Sequence, residues 1–253
     1  MAIGLAMPLP AMSGAEPCTG SYIALRRLVL GSASPSAAEG SMPSEHVRNT
    51  WPLFELSHVM AVPVRPLDWL SFEGDPVTTL YLATETRDLV VTGHDTAFRG
   101  NVREPLSELV AKLLLMTPRP MVVCPDEISN ADEVMIAYDG GLPAMRAVQM
   151  FALLGIGEGK RIHVVSIDPS QELTVRRTSG AATYLRAHGY EVEANPVASS
   201  VHPADVLKIE IADRKVDTLV MGAYGHRGFR EILFGSTTSA LVEDPPCPIF
   251  IYH

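Results

Sequence analysis

The sequence is poor in cysteine, in basic charge and in long apolar runs, and each shortage excludes a class of protein. The 253 residues include three cysteines, which form neither a disulfide framework nor a Cys-x-x-Cys zinc motif and favour a reducing cytoplasm. Twenty basic against twenty-nine acidic side chains give a net charge of −9, which opposes nucleic-acid and membrane partners. No apolar run approaches the roughly 18 residues of a membrane span. Since 47% of the residues are apolar, the sequence predicts a folded protein, and the few cysteines place it in the cytoplasm.

The first half of the chain contains more breaks than the second. Thirteen of the 20 prolines precede Asn130, and proline interrupts both helices and sheets. The apolar start lacks the basic region of a secretory signal and is followed by Pro8, Pro10 and Pro17. We therefore expect residues 1–20 to form a loose tail.

The second half alternates between strand and helix patterns. Short apolar runs bounded by glycine, proline or aspartate predict buried strands, and apolar residues at helical spacing predict the helices between them. The predicted strands are 133–138, 161–167, 190–197, 217–221 and 248–252, and the predicted helices are 144–154, 173–188, 200–214 and 236–243. This order predicts an open, mostly parallel, doubly wound α/β domain.

The two halves contain similar segments. Residues 88–93 resemble 217–222 and residues 117–123 resemble 245–251, at offsets of 129 and 128. Residues 28–33 can be laid over 134–139, but at an offset of 106, which makes the first copy shorter. We therefore predict a degenerate, shortened domain at 21–129 and a complete domain at 130–253, each with a Rossmann-like open parallel sheet.

A glycine-rich loop between the fourth strand and the last helix of the second half is the most informative segment. Gly222, Gly225 and Gly235 follow the pattern Gly-x2-Gly-x9-Gly-Ser, which ends in Ser236 and Thr237. Such a loop can cradle phosphate, because glycine admits close backbone approach and a helix start presents free N–H groups. The alternative is that the glycines serve only tight turns and Ser236 only caps the helix.

This spacing, with Pro246 and Pro248 before a closing apolar strand, resembles the ATP-binding signature of the universal stress protein family. The resemblance covers the order of elements from residue 130 to 253. It implies an adenine-nucleotide site, with ATP as the ligand, with or without Mg²⁺. The residues implied are Asp139 and Gly140 near the adenosine, Ile167 beneath the adenine, Met221 and Gly222 along base and ribose, and Gly225, His226, Arg227, Gly235, Ser236 and Thr237 around the phosphates.

The first copy departs from this signature. Thr96 replaces the second glycine, Leu106 stands near the position of the third, and Ala33 replaces the acidic residue. One nucleotide site per chain is therefore expected, in the second copy.

The resemblance further implies a nucleotide-responsive regulator of the stress response that is not a dedicated enzyme. The loop lacks the Gly-Lys-Ser/Thr lysine of P-loop proteins, so we predict neither catalytic nor metal-binding residues and leave slow ATP hydrolysis open. A ligand-free, dimerising scaffold of the same family is the alternative. The assembly is expected to be an internal pseudo-dimer of the two halves or a homodimer through the closing strand.

Overall fold

The computed structural model describes residues 2–6, 19–25, 67–73, 81–85, 87–93, 106–125, 127–129, 131–223 and 235–253. The strands are β1 (Ala2–Ala6), β2 (Thr19–Leu25), β3 (Leu67–Glu73), β4 (Leu89–Gly93), β5 (Met121–Cys124), β6 (Glu133–Ala137), β7 (Arg161–Asp168), β8 (Glu191–Ala198), β9 (Thr218–Gly222) and β10 (Ile249–Tyr252). The helices are α1 (Leu106–Met116), α2 (Leu142–Leu154), α3 (Gln171–Ala187), α4 (Pro203–Arg214) and α5 (Ser236–Glu243).

All these strands form one sheet in the order β3-β2-β1-β4-β5-β10-β9-β6-β7-β8. The five strands of the second half run parallel to one another. The predicted α/β class with a mostly parallel open sheet is therefore confirmed. Each predicted element of the second half is present, and α5 has the predicted bounds.

Local sequence explains the boundaries of the helices in this half. Gly141 precedes α2, Pro143 lies in its first turn, and Gly155 ends it with a φ of 65°, a left-handed conformation that favours glycine. Ser170 caps α3, because its hydroxyl oxygen accepts a hydrogen bond from the N–H of Leu173. Both helices thus begin directly behind the carboxyl ends of their strands.

Helices cover the sheet on two faces. Phe151 of α2 and Leu185 of α3 belong to the core on one face, whereas Leu207 of α4, Leu241 of α5 and Leu114 of α1 belong to the core on the other. Central strands buried on both sides explain the continuous apolar runs in the sequence. In the described part of the chain, none of the helices has the length and apolarity needed to cross a membrane.

Strands β5 and β10 join the two halves of the sheet. They pair antiparallel, with Ile249 opposite Val123 and Ile251 opposite Met121, while the other edge of β10 pairs with β9. Both edges of the closing strand are therefore occupied within one chain. β10 therefore has no unpaired edge, and the assembly of the protein remains a prediction.

The start of the chain differs from the expected loose tail. Ala2–Ala6 form β1, which pairs parallel with β4 and antiparallel with β2. An apolar pentapeptide can complete a sheet through its backbone even when prolines follow. The antiparallel pairing of β2 with β1 and β3 also departs from the parallel sheet predicted for this half.

The predicted shortened copy in the first half remains a prediction, and the strand spacing of the two halves can be compared. Among the described strands, β1 and β4 start 87 residues apart, at Ala2 and Leu89, and β6 and β9 start 85 residues apart, at Glu133 and Thr218. Residues 28–33, which were the basis for the shortened copy, lie outside the described residues, as does Thr96. The domain boundaries at 21–129 and 130–253 remain a prediction.

Cys124 on β5 and Cys247 before β10 are both buried, and burial raises the pKa of each thiol to about 12. Because the thiolate is the reactive form, neither should react with Ellman's reagent at pH 8 in the folded protein. A Cys18→Ser variant isolates these two thiols. We expect no fast reaction in buffer and both thiols to react in denaturant. Rapid reaction of either thiol in buffer would contradict the buried β5–β10 junction.

Candidate functional site

The strand order reverses between β6 and β9, and this point defines the candidate site. The chain leaves β6 towards α2 on one face of the sheet and leaves β9 towards α5 on the other. Open α/β sheets bind ligands in the crevice that such a reversal creates at the carboxyl ends of the strands. Asp139 and Gly140 follow β6 at this edge, and Gly222 ends β9.

Four apolar side chains lie on one face of the sheet at this edge, and we call them the apolar shelf: Ala137, Ile167, Val197 and Met221. Ala137 pairs with Met221 across β6 and β9, and Ile167 pairs with Val197 across β7 and β8. All four pack against the core beneath α4 and α5. The shelf brings together two predicted site residues, Ile167 and Met221, and adds two that the sequence did not indicate.

Asp139 and Gly140 form the turn between β6 and α2. The carboxylate Oδ1 of Asp139 accepts a hydrogen bond of 2.7 Å from the N–H of Gly141, and Gly140 has a φ of +80°. That conformation requires glycine or strains another residue. Asp139 is exposed at the crevice, at the position that the resemblance assigned to the adenosine.

Gly222 has a packing reason to be glycine. A Cβ atom there would lie 2.6 Å from the backbone nitrogen of Ala144 and 2.7 Å from the carbonyl carbon of Pro143. The end of β9 therefore lies directly against the first turn of α2. This contact closes one side of the crevice, so the glycine shapes the site even without a ligand.

The start of α5 forms the opposite side of the crevice. Gly235 occupies the cap position with φ −56° and ψ 152°, which is ordinary extended backbone, and as a glycine it has no side chain to cap the helix. Ser236 is exposed and Thr237 is half-buried. The predicted phosphate residues Gly225, His226 and Arg227 lie outside the described residues.

His202 is a residue of this edge that the sequence analysis missed. Its Nε2 lies 3.0 Å from the hydroxyl oxygen of Ser236, and its Nδ1 accepts a hydrogen bond of 3.4 Å from the N–H of Ala204. The imidazole therefore links the first turn of α4 to that of α5. A histidine before Pro203 at a helix start was the available signal.

Comparison with known proteins assigns the second half to a family. Residues 130–253 match the model of the Universal stress protein family. This half of the chain is a universal stress protein domain. The signature that the sequence analysis identified at Gly222 to Ser236 lies within it.

Individual relatives are distant. The universal stress protein Slr1230 of Synechocystis sp. is 22% identical over 168 residues, which cover 66% of this chain and 58% of that protein. The chain thus spans little more than half the length of this relative. A crystal structure of a universal stress protein from Archaeoglobus fulgidus is 19% identical, with a TM-score of 0.56, and covers 83% of this chain and 80% of that chain. This likeness shows the fold.

A universal stress protein solved in complex with cAMP is also similar, at 19% identity and a TM-score of 0.39 over 48% of this chain and 96% of that one.

An ion pair joins the end of β7 to α3 beside the turn that carries Asp139. Arg177 Nη1 lies 3.0 Å from Asp168 Oδ2, and the Arg177 side chain packs along Gly140. The pKa of Asp168 is lowered, first by the hydrogen bond from the N–H of Ser170 and then by Arg177. No sequence signal indicated this pair, through which Arg177 of α3 contacts both the end of β7 and the turn that carries Asp139.

Proposed function

We propose that the universal stress protein domain binds one adenine nucleotide, ATP, and that the protein acts in a stress response as a nucleotide-responsive regulator. The observation that supports this proposal is that the apolar shelf and the glycine-capped start of α5 lie at the same switch point of the sheet. The shelf residues Ile167 and Met221 lie on the face that α5 covers, and α5 begins at the same edge. A nucleotide has the matching division into a flat apolar base and an anionic phosphate chain.

The shelf suits the base. Adenine can lie on aliphatic side chains without requiring a charged partner, and pockets for small ligands are mostly apolar with a few polar groups that fix orientation. Asp139, exposed at the adjoining turn, supplies a carboxylate acceptor within the crevice. Ribose hydroxyls are donors of the kind that such an acceptor binds.

The start of α5 suits the phosphates. The first N–H groups of a helix have no partner within it, and the helix dipole places partial positive charge at the same end. Glycine at the cap position has no side chain to accept from these N–H groups, so an anionic ligand can supply that acceptor. The hydroxyl of Ser236 adds a donor. When bound, Mg²⁺ would neutralise part of the triphosphate charge.

A regulatory role is favoured over fast ATP hydrolysis. Hydrolysis requires a positioned water and a base. In the described part of the crevice, Asp139 is the carboxylate that follows β6 at the switch point. One oxygen of that carboxylate already accepts the N–H of Gly141. Slow hydrolysis remains the enzymatic alternative.

A ligand-free scaffold is the second candidate, and the β5–β10 junction favours it. This pairing already makes one continuous sheet from both halves, which is what an internally dimerised scaffold requires. The two candidates differ in whether ATP stabilises the protein.

We expect calorimetric titration to give one ATP per chain. At a free ATP concentration of about one hundred times the dissociation constant, binding adds roughly 2.7 kcal/mol to the free energy of unfolding. For a chain of this size the melting temperature should rise by about 2–4 °C per kcal/mol.

Adenosine, which has no phosphates, is the control for the phosphate contacts. GTP, which has a different base, is the control for the base contacts. A stoichiometry near two would contradict the assignment of a single site to the second half. No heat and no thermal shift with any nucleotide would favour the scaffold.

A further inference from the structure

His202 lies between the starts of α4 and α5, and it contacts Ser236, which is 34 residues away in the sequence. Its side chain caps α4 through Nδ1 and reaches Ser236 at the first turn of α5 through Nε2. We propose that His202 is the positioning residue for the phosphate-binding hydroxyl of Ser236. The inference deepens the proposed function and rests on it.

The cap fixes the tautomer of the imidazole. Nδ1 accepts the N–H of Ala204, so in the neutral ring the proton is on Nε2. That Nε2–H then donates to the hydroxyl oxygen of Ser236, 3.0 Å away. The serine oxygen is used as an acceptor, and its own proton is directed away from His202.

The orientation of that proton selects the ligand group. An exposed hydroxyl at the first residue of α5, with its proton turned outward, donates to an acceptor lying off the helix start, where the dipole favours an anion. A phosphate oxygen is such an acceptor, whereas the base lies on the apolar shelf. His202 therefore affects phosphate binding and leaves base binding unchanged.

Two variants separate this role from simple helix capping. In His202→Asn the side-chain oxygen can still cap α4, since asparagine is among the best capping residues, but the shorter side chain cannot reach Ser236. In His202→Gln the amide nitrogen can reach the position of Nε2, but glutamine is a poor cap.

We expect His202→Asn to bind ATP roughly three- to tenfold more weakly, the effect of one lost hydrogen bond, with unchanged adenosine affinity and melting temperature. His202→Gln should restore ATP affinity while lowering the melting temperature by a few degrees, about 2–4 °C per kcal/mol of lost capping. In a Ser236→Ala background, His202→Asn should have no further effect on ATP binding.

Two results would overturn the inference while the proposed function stands: parental ATP affinity in His202→Asn, or an equal loss of ATP and adenosine affinity. Long-range ¹H–¹⁵N spectra of the imidazole, recorded without nucleotide, test the geometry separately. A proton on Nε2 supports the inference, and a proton on Nδ1 refutes it. Failure of the parent protein to bind ATP would overturn the proposed function, and the positioning role with it.

Discussion

Gly235→Val protein is expected to remain folded and to lose ATP binding. Gly235 has φ −56° and ψ 152°, a conformation that valine adopts without strain, so the backbone gives no reason for the fold to fail. The loss of binding follows from the position. A side chain at a helix cap lies over the N–H groups of the second and third helical residues, which is why serine and asparagine can cap there. An isopropyl group at that place covers the donors without satisfying them.

The expected loss is about 100-fold or more in ATP affinity, equivalent to about 2.7 kcal/mol. Adenosine binding should change little, because the apolar shelf lies on β6, β7, β8 and β9 and not at the start of α5. Titration with ATP and adenosine measures both, and circular dichroism checks the fold. Gly235→Ala is the matched control, with a single methyl group and an intermediate loss. Folded Gly235→Val protein with parental ATP affinity would show that this helix start is not the phosphate site.

The sequence predicted the second half well because its signals are local. The bounds of α5 follow from a serine after glycine and from the prolines beyond it, and α2 begins and ends at glycines flanking an apolar period. Each signal lies within a few residues of the boundary that it sets. The fold class and the position of the candidate crevice follow from the alternation of such elements.

The contacts within the crevice could not be predicted, because they join distant residues. His202 meets Ser236 across 34 positions, and no spacing rule relates a helix cap to another helix start. The packing of Gly222 against Pro143 is equally invisible in the sequence, where a glycine after a strand indicates a loop or a ligand contact. The pairing of Ala2–Ala6 with β4 was not predictable either, since the prolines that follow Ala6 predicted an unstructured start.

We expect a stabilising ion pair and the proposed ATP site to lie at opposite ends of the sheet. Lys160 precedes β7 and Asp217 precedes β9, so both lie at the amino ends of their strands, away from the crevice. Lys160 Nζ lies 2.8 Å from Asp217 Oδ2, and their side chains are 7% and 0% exposed. Asp217 also accepts the hydroxyl of Thr218, and its N–H donates to the carbonyl of Glu133.

Lys160→Met should therefore destabilise the protein by about 3–5 kcal/mol, because removing one partner leaves a buried carboxylate without its counter-charge. The melting temperature should fall by roughly 10 °C, at about 2–4 °C per kcal/mol. ATP affinity, measured well below the transition, should stay at the parental value, since the pair does not contact the crevice. Urea unfolding and calorimetry measure the two quantities independently.

The double variant Lys160→Met, Asp217→Asn separates the charge from the packing. The loss in Lys160→Met comes from an uncompensated buried charge, and Asp217→Asn removes that charge, so the double variant should recover most of the loss. Asparagine keeps an oxygen that can accept the Thr218 hydroxyl, so the local hydrogen bond survives. A double variant as unstable as Lys160→Met would locate the loss in the packing of the lysine stem. If the free energy of unfolding of Lys160→Met lay within about 0.5 kcal/mol of the parental value, water or another group would have to compensate the charge of Asp217.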